Sequence, residues 1–180
     1  MMTPPGLNSA AARDALDPAR LDGTNINPVT GLATDFLNHF NEAIMLLEVL
    51  PMAPECKADI LAWRPMGYRE HFAASHFKHR DLAIAAYEAS DPVFRRTLDE
   101  ITDDMNAILI ATCDGLRGDL SPDTMLILAN ATAHWLRPLV ARAGAVINGE
   151  ATAVAPSAES APQDAVDALF EHEVESVFRC

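Results

Sequence analysis

Apolar residues recur along the middle of this chain with the period of a helix, and no window alternates in the manner of a strand. From Pro28 onward, Ala33, Phe36, Leu37, Phe40, Ala43, Ile44 and Leu47 fall at i, i+3, i+4 and i+7 spacing, predicting an amphipathic helix that stops at Pro51. A short helical turn is expected over about 55–63, ending before Pro65, and a second long helix over 66–89. A third, over 92–116, carries Phe94, Leu98, Ile101, Met105, Ile108 and Thr112 on one stripe. The fourth, over 122–147, buries Met125, Leu128, Thr132, Trp135, Leu139 and Val146, with Pro138 inside it to kink it. Asn27-Pro28, Asp91-Pro92 and Ser121-Pro122 have the chemistry of an N-cap followed by a first-turn proline, so each is read as a helix start.

Short connections at 90–91 and 117–121 force neighbouring helices to run antiparallel. The expected fold is therefore all-α, an antiparallel up-down four-helix bundle with a short extra helix between helices 1 and 2. Outside the bundle the composition changes. Residues 1–27 lack a sustained period and read as a flexible N-terminal arm, leaving 28–148 as the bundle. Residues 149–163, GEATAVAPSAESAPQ, read as an Ala/Ser/Pro linker tethering a C-terminal amphipathic acidic helix over 164–180.

Charge narrows the partners. The chain has 180 residues, with 13 Lys and Arg against 26 Asp and Glu, for a net charge of −13. Phosphate neutralisation needs clustered cations, so a nucleic-acid partner is excluded, and docking on an anionic membrane is disfavoured. No apolar run approaches the roughly 20 residues that span a bilayer. The first residues, MMTPPGLNSAAARDALDPAR, lack the basic start and apolar stretch of a secretory signal. Cys56, Cys113 and Cys180 are widely spaced with no CxxC pair, which argues for reduced thiols and a cytoplasmic location.

Catalytic motifs are weak. His79-Arg80-Asp81-Leu82 spells the start of a kinase catalytic loop, but Ala86 stands where the catalytic Asn belongs. A phosphoacceptor histidine fits poorly too, because His76 falls within the apolar arc of Phe72, Ala83 and Tyr87. No Gly-x-Ser-x-Gly elbow is present. The histidines are more informative. Counted from the expected helix ends, His39, His76 and His134 all lie roughly 16–18 Å below one rim of the bundle, with His79 a turn deeper and Asp104 at the same level. His71, beside Glu70 and Lys78, is read as solvated. Imidazoles and a carboxylate at one level admit two readings. One is a buried polar layer that fixes helix register. The other is a Zn, Fe or Mn site built from His39, His76, His79, Asp104 and His134, with an oxidoreductase as one outcome. Ferritin-like Glu-x-x-His pairs are absent in that order, and no cofactor is expected on present motifs.

In the tail, Val166, Leu169, Phe170, Val174, Val177 and Phe178 recur at helical spacing among Asp167, Glu171 and Glu175. An acidic amphipathic segment on a tether is a usual form of helix-in-groove recognition. These six residues are the candidate contact for a protein partner or for self-association, and docking on the chain's own bundle is the alternative. Together the patterns lead to a cytoplasmic interaction or regulatory protein without catalysis, with the metal-binding bundle second.

Overall fold

The computed structural model describes residues 14–150, and within them the protein is all-α. Its helices are α1 (Pro18–Leu21), α2 (Asn38–Val49), α3 (Lys57–Ala62), α4 (Tyr68–Ala74), α5 (Arg80–Ala89), α6 (Pro92–Arg117) and α7 (Pro122–Ile147). Tight 3₁₀ turns at Thr34–Leu37 and Pro54–Cys56 lead into α2 and α3. No helix among the described residues is long and apolar enough to cross a membrane.

The two 26-residue helices start where polar–proline pairs lie. Asp91 Oδ1 accepts from the Val93 amide at 2.8 Å, and Ser121 Oγ from the Thr124 amide at 3.1 Å, each with proline in the first turn. α7 continues through Pro138 and ends at Asn148, followed by Gly149 at φ +83°. It packs against α6 on one side and α2 on another, while α3 rests on α6 and α4 on α5. The α6 stripe is buried at Leu98, Ile101, Met105, Ile108 and Thr112, as its periodicity predicts. On α7 the buried face is turned by about one position from the expected stripe. Leu128, Thr132, Leu136, Ala143 and Val146 go inside, while Trp135, Met125 and Leu139 sit half-buried at its edge.

Three sequence expectations are corrected. First, Asn27-Pro28 starts a turn and not a helix. Asn27 Oδ1 accepts from the Val29 and Thr30 amides, Thr30 Oγ1 donates to the Ile147 carbonyl at 2.6 Å, and Gly31 takes φ +71°. A Cβ on Gly31 would lie 2.7 Å from the Ala86 carbonyl oxygen, so only glycine fits. Second, the helix expected over 66–89 is two helices. Ser75 turns to an extended backbone, its Oγ donating to Phe72 O and accepting from the Phe77 amide. Third, packed structure begins ahead of Pro28: Leu21 and Ile26 are 3% exposed and belong to the core, with Ile26 bridged to Ala33. Residues 1–13, residues 151–163 of the linker and the tail candidates Val166, Leu169, Phe170, Val174, Val177 and Phe178 lie outside the described residues.

Candidate functional site

The break at Ser75 dissolves the register on which the histidine layer depends. His39 is buried on α2, at 6% exposure. His76 is exposed between α4 and α5; His79 is half-buried ahead of α5 with its ring 5.9 Å from that of Phe77. Asp104 lies on the outer side of α6 near Arg142, and His134 is exposed on α7. The five candidates are not brought together. Among the described residues no group of three His, Cys, Asp or Glu is arranged to hold a metal ion.

The histidine that does join His39 is His71, one turn into α4, which the sequence reading left in solvent. The rings are 5.8 Å apart within an aromatic cluster, with Phe36 and Phe72 each packed edge-on to His71. Trp63 closes the other side. Its indole stacks on His39 at 4.7 Å and 22°, and its Nε1–H donates to the His39 backbone carbonyl at 3.3 Å. Local sequence explains this placement. Arg64, which precedes Pro65, is disfavoured in the helical region, so α3 ends at Ala62 and Trp63, its C-cap, takes ψ 144°. Glu70 then accepts from the Gly67 amide at 3.1 Å and starts α4.

Burial lowers the His39 pKa to about 4, with the neighbouring His71 adding to the effect and the Arg64 backbone carbonyl opposing it. His71 is lowered in the same direction by burial, against the pull of Asp35. His39 is thus a neutral imidazole at pH 7. Its Nε2 is buried without a hydrogen-bond partner, as is Asp35 Oδ2. Thr102 Oγ1, Asn106 Oδ1 and Arg142 Nε are buried without a partner as well, and each such atom costs about 1–3 kcal/mol.

His39 and Trp63 line an open cleft of 460 Å³, together with Glu42, Leu46, Asp59, Ala62, Arg64 and Met66. Across the indole lies a smaller cleft of 180 Å³ that includes Ile110, Cys113 and Arg117. Cys113 is no ready nucleophile there. Burial raises its thiol pKa, and Sγ lies 3.5 Å from the Ile60 carbonyl.

A second polar cluster makes a useful contrast. Tyr68 OH accepts from the Ala33 amide at 2.8 Å, and its ring stacks 4.6 Å from Tyr87. Tyr87 OH reaches both Asp99 oxygens at 2.8 Å, with Arg95 over its ring. Burial pushes both tyrosines upward in pKa, and each hydroxyl has a protein partner. That cluster is a joint between helices. The His39 cleft, with idle polar atoms on a concavity of small-ligand size, is the better candidate for function. The one cue to it in the sequence is Trp63 placed directly before Arg64-Pro65. The chain matches no protein-family model, no curated protein and no solved structure.

Proposed function

We propose that this chain is a non-catalytic cytoplasmic binding protein of regulatory type, whose helical scaffold offers the His39/Trp63 cleft to a small molecule. The observation that carries this reading is the buried neutral His39, whose unpartnered Nε2 belongs to a residue lining a 460 Å³ concavity. Binding is favoured over catalysis because, among the described residues, no activated nucleophile accompanies the imidazole. The Cys113 thiol is raised in pKa, and the Ser75 hydroxyl is committed to Phe72.

The scaffold in this proposal is an antiparallel bundle. Thr112 meets Thr132 and Asp104 meets Arg142 across α6 and α7, while Glu48 of α2 meets Arg137 and Leu37, just ahead of α2, lies near Gly144 of α7. In each pair one residue number rises as its partner's falls, which supports opposed directions. A second reading, recognition of a protein partner through 164–180, is favoured by the apolar spacing of Leu169, Phe170, Val174 and Val177.

A fragment screen by NMR on the full chain tests the leading proposal. Hits of any charge should move the Trp63 indole N–H resonance and the His39 ring signals, and Trp63→Ala should abolish them. A screen in which hits leave both signals still, or map only elsewhere, would remove the cleft as a ligand site.

A further inference from the structure

The polar groups around the cleft divide unequally into engaged donors and idle acceptors. Arg64 NH1 already donates to the Leu61 and Trp63 carbonyls at 3.1 and 3.0 Å. The Trp63 N–H is committed to the His39 carbonyl. On the other side stand Glu42 and Asp59, which have no ion-pair or hydrogen-bond partner among the described residues. Among the described residues no three such groups are arranged to hold a metal ion. An ammonium group suits two separate carboxylates, because it carries several N–H donors on a body of some length. The rest of the lining suits such a body: Leu46, Ala62 and Met66 are apolar, and an indole attracts cations through its ring as well as by contact.

Resting on the reading of this cleft as a ligand site, we propose that its ligand is a small organic ammonium ion with an apolar body. Glu42 and Asp59 take the charged group, and the apolar part packs along Trp63 and Met66. Neutral and anionic molecules of the same shape are discriminated against, because two carboxylates outnumber the single guanidinium in the lining.

The test compares phenethylammonium, phenethyl alcohol and phenylacetate, which share a body and differ in charge. Each is titrated into the full chain while the Trp63 indole N–H is followed by NMR, Trp63→Phe supplying the assignment. Phenethylammonium should bind about tenfold more tightly than the alcohol, with phenylacetate weakest. Glu42→Gln combined with Asp59→Asn, both exposed positions, should bring the ammonium down to the level of the alcohol without changing the circular dichroism spectrum. If the alcohol or the acid matches the ammonium at Trp63, the charge preference is overturned while the cleft stands as a ligand site. Ammonium binding that survives the double substitution would also overturn it. If all three leave Trp63 unmoved, the proposal falls, and silence of the fragment screen as well takes the cleft reading with it.

Discussion

Helices α6 and α7 run for 26 residues each, whereas between Pro51 and His79 the chain changes course at Ala53, Trp63 and Ser75. The long pair is held by repetition. Its core residues recur every three or four positions, and buried hydroxyls at Thr112 and Thr132 answer each other at 2.8 Å. The irregular stretch is held by single tethers. Cys113 Sγ reaches the Ile60 carbonyl, Asn106 Nδ2 the Met66 carbonyl and Trp63 the His39 carbonyl, at 3.5, 3.5 and 3.3 Å. Both regions bury core side chains, with Ile60, Tyr68 and Phe72 coming from the irregular stretch, and that stretch adds the turns that frame the cleft with α2.

The sharpest way to break this division is to cut each region once. Leu136→Ala, deleting a fully buried side chain on α7, should cost about 2–5 kcal/mol of global stability in a urea titration. Trp63→Ala should cost less, because Trp63 is only half-buried, yet it should erase every ligand response. Equal losses would mean that the irregular stretch belongs to the same cooperative core.

Acid should strike the cleft region next hardest. The His39 pKa is about 4 in the folded protein against an ordinary 6.5, so the unfolded chain binds more protons between those values. Stability accordingly rises with pH through that window and is lost as pH falls from about 6.5 toward 4. The loss is on the order of 3 kcal/mol at its fullest. His71 acts in the same direction; Asp99, raised mainly by burial, opposes it at the acidic end. Unfolding midpoints at pH 7, 5 and 4 should drop steeply in the native chain and far less in His39→Gln. A flat native profile would deny that burial holds His39 neutral.

The smallest effect belongs to the long pair. Thr112→Val leaves the Thr132 hydroxyl buried and alone, which should cost about 1–3 kcal/mol. Adding Thr132→Val should recover part of that loss, and a double-mutant cycle in urea measures the coupling. Additive losses would mean that the two hydroxyls do not answer each other.

What was legible in the sequence follows the same division. α6 and α7 were readable because each has a proline-backed cap, a long uninterrupted period and a glycine beyond its end. The turn at Asn27 shares the capping chemistry, but Thr30 and Gly31 send the backbone elsewhere through contacts with Ile147 and Ala86, more than fifty residues away. No proline or glycine marks the break at Ser75. A serine hydroxyl serving Phe72 and Phe77 made it, a choice that serine makes in some helices and declines in others. Once that break is in place, His76 and His79 leave the level at which a continuous helix would have set them. His39 remained on the list of candidates because α2 is regular. His71 was missed because its neighbours in sequence, Arg69 and Glu70, are exposed, while its neighbours in space, Phe36 and His39, come from before Pro51.

The clasp between Thr30 and Ile147 has a further consequence. Gly31 lies against the Leu16 side chain, and Gly149 lies against Thr30 and Val29. The two ends of the described residues are therefore gathered at one pole, on the two sides of a single turn.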